Sequence, residues 1–305
     1  MKANSAPMPV MTRTAVLLLL VVRHLDIPEK FPASVAANAS VAKLRRSAVP
    51  RLLPGDDPRR SAYGVISIII TGMTSGDWND SWERLMARYQ PGREQAIERM
   101  IDLIAARCDG RAPRVLDVGG GTGTLCSRLL ARFPEAEVTL VDLDPVMLAI
   151  AGASLPSSVE VVRADLRDPG WRGLLPYSGY DAVLAIMALH YLPPDRLSAL
   201  YGELVGLVRA GGFVANVDDM PETEAVASAT DDDGSWDAWW DQVAADPVLG
   251  PAVMERARLF GDSSSAEWHP PAAWHLRALQ AGPVDEPAVA WRDGAQAAVV
   301  AFRSR

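Results

Sequence analysis

Cysteine is nearly absent from this chain: Cys108 and Cys126 are the only two in 305 residues. They form no Cys-x-x-Cys pair, and no histidine stands near either at metal-ligand spacing. A disulfide scaffold, a zinc knuckle and a dithiol redox motif are therefore not expected. Two reduced thiols fit a cytoplasmic protein. Long apolar runs are missing too. Ala15 to Val22 stops at Arg23, His24 and Asp26, far short of the about 20 residues a membrane helix needs. As a signal peptide it is equally poor, with charges directly behind a minimal apolar region. Basic clusters are lacking beyond residue 72. Residues 1–72 hold ten Lys/Arg and four Asp/Glu, a balance of +6, and the remainder holds 20 and 34, a balance of −14. That acidity argues against nucleic acid as a partner.

Residues 1–72 show no domain pattern. Prolines at 7, 9, 28, 32, 50, 54 and 58 break every candidate helix. The stretch is expected to be disordered or loosely docked, or to precede a natural start at Met73. Beyond it the pattern changes. Residues 77–89 predict a helix with Trp78 and Trp82 four apart, and residues 94–108 a second, with Ile97, Met100, Ile101 and Ile104 on one face.

A regular alternation follows. Strands are expected at residues 114–118, 137–142, 159–163, 181–185 and 213–217, with helical segments at 124–132, 145–152 and 195–209 between them. Such alternation means βαβ units and a parallel sheet with right-handed crossovers. A helical insertion at about 220–262 carries Trp236, Trp239 and Trp240; another helix covers 271–280. Arg292-Asp293-Gly294 then joins two apolar runs as a hairpin. The fold class is α/β: a doubly wound, seven-stranded, mostly parallel sheet with a reversed last strand.

The first strand ends in Asp117-Val118-Gly119-Gly120-Gly121-Thr122-Gly123. Glycines here allow positive φ and let a ligand approach the backbone, at the carboxyl end of a strand where open α/β sheets bind nucleotides. A dinucleotide fingerprint would place a third glycine at position 124, where Thr124 stands. Asp142, ending the second strand, suits ribose hydroxyls in either ligand class.

In their order, these segments resemble class I S-adenosylmethionine-dependent methyltransferases. Val115 to Gly123 resembles the family's first motif, Val141-Asp142-Leu143-Asp144-Pro145 its second and Arg163-Ala164-Asp165-Leu166 its third. Residues 181–192 resemble its fourth strand and the loop after it, residues 209–213 the turn into strand five, and the final hairpin its reversed strand. The resemblance spans roughly residues 93–218 and 266–303. It implies S-adenosyl-L-methionine as cofactor, with Asp142 on the ribose hydroxyls and Leu143 against adenine. Asp165 and Leu166 would read the adenine edge. Asp117, Gly119, Gly121, Gly123 and Ala185 complete the set, with Asp117 toward the methionine ammonium. The expected division is an N-terminal helical lid over 73–110 and the cofactor-binding catalytic domain over 111–305.

Methyl transfer is an in-line displacement, so the protein aligns two partners, excludes water and sometimes removes a proton. His190, just after strand four, is the expected base, ahead of His269 and His275; no metal site is expected. An Asn/Asp-Pro-Pro-aromatic run for base amines is absent, Ala185-Ile186-Met187-Ala188 standing there instead, and no Pro-Cys dipeptide exists for pyrimidine C5. A small-molecule acceptor with oxygen or nitrogen as nucleophile is expected. Tyr89, Trp78, Trp82, Trp236, Trp239 and Trp240 offer the lining of an apolar pocket for it, while for Trp236, Trp239 and Trp240 taken singly packing of their helix onto the core is the preferred reading. The tryptophan-rich insertion is also where a homodimer would form. Two rival readings stand: a non-catalytic binding protein on the same fold, and an NAD-dependent oxidoreductase, for which no Tyr-x-x-x-Lys pair exists.

Overall fold

In a computed structural model of the chain, residues 75–222, 234–261 and 267–305 are described. The expectations for residues 1–72, and for the first part of the insertion, lie outside these residues.

Two helices open the described chain, α1 (Ser75–Tyr89) and α2 (Arg93–Cys108). The central strands β1 (Arg114–Val118), β2 (Glu137–Asp142), β3 (Glu160–Arg163), β4 (Tyr180–Ile186) and β5 (Val208–Asp219) alternate with α3 (Thr124–Arg132), α4 (Pro145–Ser154) and α5 (Pro194–Leu207). Then come α6 (Ser235–Ala245), α7 (Gly250–Phe260), α8 (Ala272–Gln280), β6 (Ala288–Asp293) and β7 (Gln296–Phe302). The strands form one sheet in the order β3-β2-β1-β4-β5-β7-β6. Strands β1 to β5 run parallel, and β7 is antiparallel to both β5 and β6. This is the expected doubly wound sheet, with the reversed strand inserted before the edge strand.

The β1 side chains alternate between two cores, as a strand buried on both faces requires. Leu116 and Val118 pack with residues of α5 and α8, whereas Val115 packs with Ala96, Ile97, Met100 and Ile104 of α2 and Leu125 and Leu129 of α3. Helix α2 is thus a layer of the sandwich. Its apolar residues recur at helical spacing and are fully buried; each such side chain contributes about 1.5–3 kcal/mol.

A third cluster joins α1, α4 and the insertion. Trp78, Trp239, Val146, Met147 and Ile150 are buried together, with Trp82, Tyr89, Trp236 and Trp240 packed against them. Trp78 and Trp239 meet edge to face at 6.0 Å, and the Trp78 indole donates to Asp246 at 3.2 Å. These rings pack on one another, as the core-packing reading expects, rather than lining open space.

At the amino end of β4 the buried carboxylate of Asp181 is paired. Asp181 accepts from Arg111 at 2.6 and 3.1 Å, from the Arg114 N–H at 2.8 Å and from Arg209. Burial alone would raise its carboxyl pKa, and these donors hold it below the usual value. The opposite end of the sheet is different.

Candidate active site

Order β2-β1-β4-β5 places four strand ends side by side on one rim of the sheet. The chain leaves β1 through Gly119, Gly121 and Gly123, with φ of 68°, 56° and 87°, a region that side chains with a Cβ disfavour. Gly119 has a second constraint: a Cβ there would collide with the Cβ of Ala188, in the loop after β4. At Gly121 a Cβ would meet nothing within 4 Å, so open space faces the loop. The loop is tied to β2 by its own backbone. Gly119 and Gly120 donate to the Val141 carbonyl at 2.7 and 3.1 Å, and Gly121 donates to Asp142 Oδ2 at 2.8 Å.

Asp142 also accepts from the Asp144 N–H through Oδ1 at 2.8 Å. Its carboxylate is therefore locked in place, with lone pairs left over for a ligand. Burial raises its pKa, and the backbone donors oppose that. Leu143 beside it is half-buried. Asp165, after β3, is half-buried and held by Arg167, whose guanidinium lies 2.8 to 3.1 Å from both carboxylate oxygens and keeps its pKa below the usual value. The Leu166 carbonyl accepts from Arg196 at 2.6 Å.

Two expected residues lie away from the open space. Asp117 is 2% exposed beneath the loop, with Cys126 Sγ at 3.4 Å, and burial pushes its carboxyl up to about 7. Ala185 is buried inside β4, its neighbours across the sheet being Val118 and Asn216.

The β4–β5 half is built from three separate segments. His190 lies in a short 3-10 turn, Leu189–Tyr191, and is 6% exposed. Its Nδ1 is 2.7 Å from Oδ1 of Asp218 on β5, and that oxygen also accepts from the Asp219 N–H at 2.9 Å. Burial alone would lower the His190 pKa, yet the charge and hydrogen bond of Asp218 raise it above the usual value. His269 stacks near His190, ring centroids 5.0 Å apart, and its Nε2 is 3.6 Å from Glu267. His275 is elsewhere, buried with its Nδ1 on the Tyr201 hydroxyl at 2.6 Å. Burial pushes its pKa down to about 4, so it is neutral and structural.

Residues 115–212 match the family model described as a methyltransferase domain. The ordered motifs lie within this span, and the sheet is the one they require. Over those residues the chain carries a methyltransferase domain. Its curated relatives include trans-aconitate 2-methyltransferase of Escherichia coli O1:K1, 31% identical over 139 residues, which is 46% of this chain and 50% of that one. The enzyme of the same name from Methylobacterium radiotolerans is 33% identical over 140 residues, 46% and 48% of the two chains. An uncharacterized methyltransferase of Mycobacterium tuberculosis is 32% identical over 136 residues, 45% and 51%. The chain spans about half the length of the curated relatives it matches. Among solved structures, a sugar N-methyltransferase of Streptoalloteichus aligns at 17% identity with TM-score 0.49, covering 71% of this chain and 92% of that one.

The methyltransferase domain also uses residues that sequence reading passed over. Glu83 of α1 accepts from Thr124 Oγ1 at the start of α3 and from Arg93 at 2.9 Å. Asp144 caps α4, accepting from Val146 N–H at 2.9 Å, and also accepts from Arg256 of α7 at 2.5 Å. Glu255 of α7 accepts from Arg163 at the end of β3, at 2.6 Å. Helix α7 thus spans the ends of β2 and β3. Only Asp144, one position before a proline at a helix start, left a local sign of its role.

Proposed function

We propose that this protein transfers a methyl group from S-adenosylmethionine to an oxygen or nitrogen of a small-molecule acceptor. The observation that carries the choice of cofactor is the Glu83 carboxylate at the N-terminus of α3. A dinucleotide's pyrophosphate would sit on that helix end, and there Glu83, held by Thr124 and paired with Arg93, already takes the place of the anion. A sulfonium cofactor has no phosphate, and its positive charge suits an acidic rim.

The residues present fit it. The open space at Gly121 admits the methionine portion against the backbone, and the locked Asp142 carboxylate faces ribose hydroxyls with lone pairs to spare. Leu143 offers an apolar surface to adenine, and Asp165 and Leu166 lie where its polar edge would be read. Asp117, under the loop, contributes negative charge toward the ammonium group. When bound, the cofactor supplies a methyl carbon attached to a positive leaving group. The chain's own residues then align the acceptor over β4 and β5. There His190, with Nδ1 held by Asp218, presents Nε2 to take up the acceptor's proton. Burial of the pair excludes the water that would compete.

The trans-aconitate and sugar N-methyltransferase names among the similar proteins are compatible with oxygen and nitrogen acceptors alike. Nucleic acid remains outside the proposal on charge. Among the described residues no helix is long and apolar enough to cross a membrane.

The test is incubation with methyl-labelled S-adenosylmethionine and pools of small hydroxy, carboxy and amino compounds, with oligonucleotide and protein acceptors as separate arms. Label in a small molecule, dependent on His190, supports the reading. Label in a macromolecule overturns it. Cofactor binding without transfer in any arm favours the non-catalytic binding protein.

A further inference from the structure

The acceptor end contains acceptors that face no donor. Asp218 is 2% exposed, and its Oδ2 has no hydrogen-bond partner among the described residues. His269, its side chain 10% exposed, has Nδ1 in the same condition. A buried carboxylate oxygen without a donor costs about 1–3 kcal/mol or more. Close to it, a buried imidazole nitrogen is equally unpaired, and either tautomer leaves that atom without a partner. Coordinating atoms of His190, Asp218 and His269 lie within 4.8 Å of one another. Further carboxylates stand near them: Asp219, next in β5, and Glu267, beside His269. A single cation at this point would resolve every one of these deficits.

We propose that His190, Asp218 and His269 form a binding site for a divalent transition-metal ion at the acceptor end of the cleft. Two imidazoles and one carboxylate select such an ion over magnesium or calcium, which prefer sets made wholly of oxygen. Glu267 beside His269 Nε2 takes the outer position that orients a ligating imidazole, leaving Nδ1 for the ion. Three protein ligands leave coordination positions open, and an acceptor oxygen or nitrogen can fill one of them. The inference rests on the acceptor end assigned above and changes how the acceptor's proton is lost. With the ion in place His190 would be a ligand, the ion would lower the acceptor's pKa, and the proton would leave through the exposed Glu267 carboxylate to solvent.

The site is tested with Co2+ alone as probe, on the full chain freed of metal by a chelator. Wild-type protein is expected to bind one Co2+ per chain and develop visible ligand-field absorption, which Zn2+ abolishes by displacement and Mg2+ does not. His269→Ala and Asp218→Asn are each expected to weaken binding by about 100-fold or more, because even outer-shell partners are worth about 10–100-fold. Both variants should bind S-adenosylhomocysteine as the wild type does, which shows that they are folded. No absorption from wild-type protein, or absorption and affinity unchanged in both variants, would overturn the metal site. A methyltransferase reading that failed would show itself separately, as absence of S-adenosylhomocysteine binding to wild-type protein.

Discussion

The two halves of the cleft are built in opposite ways. In the β1–β2 half the N–H groups of Gly119, Gly120 and Gly121 and the Asp142 carboxylate are paired within their own backbone, and Thr122 Oγ1 is the loop's one buried side-chain oxygen without a partner among the described residues. Gly119 and Gly120 donate to Val141, and both oxygens of Asp142 are engaged by N–H groups within the same few residues. In the β4–β5 half, three buried side-chain atoms have no partner among the described residues: Asn216 Oδ1, Asp218 Oδ2 and His269 Nδ1. The first half is preorganised for a ligand of constant shape. The second carries unspent polarity, which is what a site for a variable acceptor and a cation requires.

The largest effect that would test this contrast is expected at His190. His190→Ala should lower kcat by about 10²–10⁴-fold, whether the imidazole takes the acceptor's proton itself or holds the ion that acidifies the acceptor, with S-adenosylhomocysteine affinity unchanged. Steady-state kinetics alongside calorimetry checks this, and an equal loss in both quantities would erase the distinction between the halves. Next comes the joint between them, where Gly119 meets Ala188. Gly119→Ala adds a clash in a positive-φ position and is expected to cost about 1–3 kcal/mol of stability, together with cofactor affinity. Thermal unfolding with and without S-adenosylhomocysteine reads both.

Asp117 gives a pH signature confined to the cofactor half. Burial raises its native pKa to about 7, whereas the unfolded value is about 3.9. Its contribution to stability is therefore complete below about pH 4 and is lost as pH rises through about 7. Wild-type Tm should fall more steeply than that of Asp117→Asn over that range. Parallel curves would contradict the burial of this carboxylate. The smallest effect is expected for Glu83→Gln, which weakens the partly buried pair with Arg93 and the bond from Thr124. About 1 kcal/mol of stability should be lost, read as a lowered Tm.

The same contrast explains what was legible from sequence. The cofactor half is local: Asp117 to Gly123, Asp142 and Leu143 lie within one βαβ unit, and spacing and residue type carry the information. The strand and helix order came through for the same reason, since period and punctuation are local properties. For helix α2, periodicity says which face is apolar and not what that face packs against. The acceptor half is assembled from positions 190, 218 and 269, and nothing near Asp218 or His269 in the chain announces the other. His190 was found from its place after a strand; its partners required the fold. The tryptophans leave two readings open for a related reason, since an aromatic cluster looks alike in sequence whether it lines a pocket or fills a core. Strand β5 begins at Val208 rather than 213 because Tyr180 pairs with Val208 before the register shifts, a bulge that the Gly211-Gly212 turn concealed.

The most direct measurement of the central claim is calorimetric titration of the protein with S-adenosylmethionine, S-adenosylhomocysteine and NADH, with Asp142→Ala as comparison. The account predicts that both sulfur ligands bind, that NADH does not, and that the substitution weakens binding by about 100-fold, the worth of two hydrogen bonds to a charged group. Binding of NADH with silence from the sulfur ligands would contradict it.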